Sequence, residues 1–126
     1  MTDTRKILVA DDATVGRAVF EKLLGALGYT PLFARDGREA INMFVEFPDL
    51  AAILMDVRMP GLNGIKASQE IRLSGMKNCT KVPIIGITAA DGEEVRRECL
   101  ASGMNAVLVK PLDPRVLVQT LRAFIK

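Results

Sequence analysis

The sequence has no histidine, no tryptophan and only two cysteines in 126 residues. Without histidine, its own side chains cannot supply imidazole acid–base chemistry or histidine metal ligation. Cys79 and Cys99 form neither a disulfide framework nor a zinc-ligand spacing. One tyrosine and five scattered phenylalanines offer no stacking platform for single-stranded nucleic acid. A net charge of only +2 gives no indication of general affinity for nucleic acid or anionic membranes. No apolar run approaches the roughly 18 residues of a membrane span. The run after Met1-Thr2-Asp3-Thr4-Arg5-Lys6 is too short for a signal peptide. These absences lead us to expect a reduced, cytoplasmic protein with no nucleic-acid or membrane partner.

What remains is an ordinary globular composition, 49% apolar and 25% charged, long enough for one core. The expected organisation is a single domain over residues 1–126. Apolar runs of strand length alternate with helix-period segments five times, the pattern of a parallel sheet with crossover helices. Val15, Val19, Leu23, Leu24 and Leu27 mark one face of a first helix, stopped by Gly28. Tyr29 to Ala34 reads as a weaker strand, and Asp36 as the cap of a helix burying Ala40, Ile41 and Phe44. A loop with Pro60, Gly61 and Gly64 leads to a helix carrying Ile65 and Ile71. Leu73 to Lys81 connects to a strand over Val82 to Ile87. Asp91 reads as the cap of a helix that turns Val95, Cys99 and Leu100 inward and ends at Gly103. Asp113 and Pro114 start the last helix, through Leu117, Leu121 and Phe124.

Ionic groups sit where such strands end. Ile7-Leu8-Val9-Ala10 runs into Asp11-Asp12, Ala51-Ala52-Ile53-Leu54-Met55 into Asp56, and Val107-Leu108-Val109 into Lys110-Pro111. Ile84-Ile85-Gly86-Ile87 ends in Thr88. Open α/β sheets place their chemistry in the crevice at these carboxyl ends. Taken singly, each group has an ordinary explanation: a helix cap, a turn residue, a surface lysine. Taken together, three carboxylates, an ammonium and a hydroxyl describe a site.

In this order, Asp11-Asp12, Asp56 with Met59-Pro60 and Gly64, Thr88-Ala89 and Lys110-Pro111 resemble the receiver domain of two-component response regulators. The match is collinear from Lys6 to Ile125. The resemblance implies a doubly wound, flavodoxin-like α/β fold: a five-stranded parallel sheet of order 2-1-3-4-5 with five helices. It further implies that Asp12 and Asp56 coordinate Mg²⁺ directly, with Mn²⁺ as an alternative. Asp11 acts mostly through water, and the Arg58 backbone carbonyl completes the protein ligands. Asp56 is then the nucleophile and the modified residue, forming an acyl phosphate. Thr88, the Ala89 backbone N–H and Lys110 bind the phosphoryl oxygens.

This chemistry agrees with the residues. Three converging carboxylates resist joint ionisation. Lys110 offsets part of their charge and a hard divalent cation can offset the rest. The phosphoryl donor must be another molecule, by resemblance a histidine kinase, a histidine phosphotransfer protein or a small phosphodonor. Arg97 to Met104 and Met55 to Pro60 look more like hybrid histidine kinase receivers than transcription-factor receivers. Docking is expected near the first helix, where Val15, Ala18 and Val19 are either contact residues or core. Many receivers carry an aromatic residue three positions before the lysine; here it is Val107, which has no ring to turn. Ala90, two residues after Thr88, has no group to orient water, so self-dephosphorylation is expected to be slow.

Two other functions compete. A degenerate receiver would act only as a protein-interaction module. A phosphatase-type α/β enzyme would have a second Asp where Arg58 stands. A flavin site is disfavoured because Asp11-Asp12 would repel its phosphate.

Overall fold

The computed structural model describes residues 5–11, 14–59, 61–89 and 92–125, with the side chains at 14 and 15 outside that description. The elements alternate as β1 (Lys6–Ala10), α1 (Thr14–Ala26), β2 (Thr30–Ala34), α2 (Gly37–Glu46), β3 (Ala52–Asp56) and α3 (Gly64–Leu73). They continue with β4 (Ile84–Thr88), α4 (Glu93–Ala101), β5 (Ala106–Val109) and α5 (Pro114–Phe124). The strands form a five-stranded parallel sheet of order β2-β1-β3-β4-β5, as expected.

The middle strands β1, β3 and β4 are buried on both faces, which is why their sequences are continuous apolar runs. Period-two alternation divides their side chains between two cores. Leu8, Ile53, Met55 and Ile84 pack with Phe44 of α2 and Ile71 of α3. Ile7, Val9, Leu54 and Ile85 pack on the other face with Phe20 and Leu24 of α1 and Leu117 and Leu121 of α5.

Several local expectations hold. Asp36 caps α2 by accepting from the Glu39 N–H at 2.8 Å. Asp113 caps α5 by accepting from Arg115 N–H, with Pro114 in its first turn. Gly28 follows α1 with φ +89°, a conformation suited to glycine.

Others shift. β4 begins at Ile84, not Val82, because Val82 and Pro83 belong to the connection that precedes it. On α1, Leu24 is buried and Leu23 and Leu27 pack against the core as expected, but Phe20 takes an inward place and Val19 is 63% exposed. Leu100 was expected inside and is 41% exposed, because Cys99 one position earlier takes the buried place on α4. The cap position of α4 is Gly92, with no side-chain cap, while Asp91 lies outside the described residues.

Candidate functional site

Four strand ends meet at one edge. β3 pairs with both β1 and β4, and β4 with β5, so Asp56, Asp11, Thr88 and Lys110 fall at neighbouring carboxyl ends. The register places Asp56 beside Ile87 and Thr88 beside Val109. The Lys110 N–H donates to the Thr88 carbonyl at 2.8 Å, tying the lysine's backbone to the hydroxyl's. Lys110-Pro111 is a cis peptide bond.

The centre is Asp56, only 4% exposed. Lys110 Nζ donates to its Oδ2 at 3.0 Å, and the Arg58 backbone N–H donates to Oδ1 at 3.1 Å. Burial pushes the Asp56 carboxyl above the usual carboxylate range. The Lys110 hydrogen bond, the Arg58 N–H and the Lys110 charge pull it back down; the nearby Asp11 charge pushes it up again. The carboxylate is therefore a costly anion, incompletely neutralised by its own protein.

Asp11 is buried at the end of β1, its N–H donating to the Ala34 carbonyl at 2.9 Å. A side chain added at Gly16, in the first turn of α1, would lie 3.7 Å from Asp11 Oδ2, so the helix start adjoins this carboxylate. Thr88 is 2% exposed, whereas Ala89 and the Arg58 side chain are exposed. Asp12, Pro60 and Ala90 lie outside the described residues. Among the described residues no group of three or more His, Cys, Asp or Glu side chains is close enough to hold a metal. Asp11 and Asp56 supply two carboxylates, and Arg58 a backbone carbonyl in the adjoining loop. Oxygen donors and two carboxylates against one lysine fit a hard divalent cation.

Close backbone packing supports Asp56. The Gly64 N–H donates to the Val57 carbonyl at 3.0 Å, and a Cβ on Gly64 would overlap the Asp56 carbonyl oxygen. The sequence marks Gly64 only as loop-shaping; the close approach is the specific reason. Asn63, which caps α3 by accepting from Lys66 N–H at 2.9 Å, was missed. Its signal was an Asn just before a helical pattern. The Arg58 N–H as a donor to Asp56 was also missed, since backbone donors have no residue signature.

Val107 is buried among the residues facing α4, opposite Gly86 in the β4–β5 register. Val19 and Ala18 are exposed on α1, so Val19 is not core; the Val15 side chain lies outside the description. No helix among the described residues is long and apolar enough to cross a membrane.

Comparison with known proteins points the same way. The family model for the response regulator receiver domain matches residues 7–122. The sensor histidine kinase RcsC of Escherichia coli K12 is 37% identical over 122 residues, covering 97% of this chain but 12% of that relative's length. The chain thus spans about an eighth of the curated relatives of that kind. Among solved structures, the receiver domain of sensor histidine kinase PA1611 from Pseudomonas aeruginosa has 37% identity and a TM-score of 0.85. The match covers 97% of this chain and 98% of that one, which was crystallised with a magnesium ion in its active site cleft. The complex of the Saccharomyces cerevisiae phosphotransfer protein Ypd1 with the Ssk1 receiver domain matches with a TM-score of 0.84 and 26% identity. That match covers 98% of this chain and 90% of the other. With the strand order, the buried Asp56 and its Lys110 partner all found at the expected edge, the chain belongs to the response regulator receiver domains.

Proposed function

We propose that Asp56 is the phosphoryl acceptor of this receiver domain. The observation that carries the reading is the buried Asp56 carboxylate, bonded to Lys110 at 3.0 Å and crowded by Asp11. An Asp56 oxygen attacks phosphorus in line; a P–O bond forms as the donor's P–N bond breaks and its electron pair leaves with imidazole. Lys110, a compact cation on a flexible stem, moves from carboxylate to phosphoryl oxygen. The Thr88 hydroxyl and Ala89 N–H donate to the other oxygens. Asp11, Asp12, Asp56 and the Arg58 carbonyl would hold Mg²⁺, which supplies charge neutralisation on the phosphoryl oxygens when bound. Mn²⁺ offers the same oxygen-seeking chemistry.

The donor is a phosphohistidine on a histidine kinase or phosphotransfer protein, consistent with the kinase relatives and the Ypd1 complex. Exposed Ala18 and Val19 supply apolar contact beside the crevice. The setting is the cytoplasm, where such donors work. A degenerate, non-phosphorylated role is disfavoured by Asp56, Thr88 and Lys110 standing together at one sheet edge.

Intact-mass measurement tests the reading. Acetyl phosphate with Mg²⁺ should add one phosphoryl group to the wild type and none to Asp56→Asn, and chelation should abolish the gain. Equal uptake by both proteins would remove Asp56 from its role.

A further inference from the structure

The loop between Asp56 and α3 carries the Arg58 carbonyl assigned to the metal, so whatever fixes this loop fixes the site. Its two ends are anchored to β4 and to each other. Val57 N–H donates to the Ile87 carbonyl at 2.9 Å, and the Val57 carbonyl accepts from Gly64. Between them, Gly61 has φ +71°, and Asn63 is committed to capping α3. Among the described residues, one backbone hydrogen bond reaches this span from a different layer element. The Gly37 N–H, at the first position of α2, donates to the Leu62 carbonyl at 3.1 Å.

That contact requires glycine for space rather than for backbone freedom. A Cβ on Gly37 would overlap the Leu62 carbonyl oxygen and lie 3.0 Å from both the Leu62 carbonyl carbon and Cβ. Backbone cannot swing aside as a flexible side chain can, so any larger residue must push the loop or α2 away. Gly37 is itself held in place, because Asp36 caps α2 and Ala40 N–H donates to the Asp36 carbonyl at 3.0 Å. The N–H used here is one of the donors a helix leaves unpaired in its first turn.

We infer that Gly37 is a positioning residue for phosphoryl transfer: its N–H latches the Leu62 carbonyl and thereby sets the Arg58 loop at the metal site. The inference rests on the assignment of Asp56 and its metal ligands. Groups that orient metal ligands without touching the metal typically change affinity about 10- to 100-fold when lost. Misplacement of the loop by roughly an ångström has effects of similar size on the transfer rate.

The test compares wild type with Gly37→Ala, by Mg²⁺ calorimetry and by the initial rate of acetyl phosphate labelling at saturating Mg²⁺. Two controls are Gly25→Ala, where nothing lies within 4 Å of the added Cβ, and Ile7→Val, a mild core lesion on the other sheet face. Gly37→Ala should weaken Mg²⁺ binding about tenfold or more and slow labelling, while folded controls match wild type. Wild-type affinity and rate in folded Gly37→Ala would overturn the latch. A wild type that takes neither Mg²⁺ nor phosphoryl would overturn the site assignment, a distinct result that removes the latch with it. If Gly37→Ala does not fold, amide exchange in the wild type decides. Mg²⁺ with beryllofluoride should slow exchange at Gly37, because coupling between sites is reciprocal; unchanged exchange would refute the inference.

Discussion

Replacing Lys110 by Met keeps much of the stem's bulk and removes the ammonium that meets Asp56 Oδ2 at 3.0 Å. The Lys110 side chain is 36% exposed and Asp56's 6%, so the pair lies between two regimes. Exposed pairs contribute about 0.2–1 kcal/mol, and stranding a fully buried charge costs about 3–5 kcal/mol. Solvent screening of the lysine places the coupling nearer the lower regime, at roughly 1–2 kcal/mol. Its pH dependence follows from the direction of the Asp56 shift. Burial already holds the folded carboxyl above its unfolded value. Such a group contributes stability that is full below the unfolded pKa and is lost as pH rises through the folded one. Without Lys110 the folded value rises further, so Lys110→Met loses more. The stability gap from wild type should therefore open between acid and neutral pH. It should close below the unfolded carboxylate pKa of about 3.9. Urea unfolding in chelator across that range measures the gap, and a double-mutant cycle with Asp56→Asn isolates the coupling. A gap that ignores pH, or a coupling of zero at neutral pH, would show that the two groups do not interact as described.

Four further outcomes follow from the structure. In chelator at neutral pH, Asp56→Asn should be as stable as wild type or more so, because it removes a buried charge while Lys110 stays partly solvated; thermal melting checks the sign. Saturating Mg²⁺ should then stabilise wild type by about 2.7 kcal/mol at one hundred times its dissociation constant, and Asp56→Asn far less. Thr88→Ala should slow acetyl phosphate labelling on the order of 10²-fold, the usual effect of one lost oxyanion donor, with circular dichroism unchanged. Arg72→Ala should cost roughly 2–4 kcal/mol in urea unfolding, since its guanidinium donates to the Gly103 and Cys79 carbonyls and to Asn105 Oδ1.

The parts of this structure legible in the sequence are those encoded by local pattern. β1, β3 and β4 are apolar throughout because both faces are covered, and a charged or hydroxyl residue then marks each strand end. Asp36 and Asp113 are readable as caps because their hydrogen bonds span two or three residues. Helix rotation was less legible. Val19 and Phe20, or Cys99 and Leu100, are adjacent apolar residues, and only packing against the sheet decides which one is buried. Least legible were contacts between distant backbones. Arg72 of α3 reaches the Gly103 carbonyl, and Gly37 meets Leu62; no local pattern announces an approach between residues so far apart in the sequence.

The claim beneath all of this is that Asp56 itself carries the phosphoryl group. Labelling with acetyl phosphate and Mg²⁺, reduction with borohydride and peptide mass spectrometry would locate the acyl phosphate, because reduction converts the modified aspartate to homoserine. Homoserine should appear at position 56 and only in labelled protein. Homoserine at position 11 or 12, or none in protein that has gained a phosphoryl group, would contradict the account.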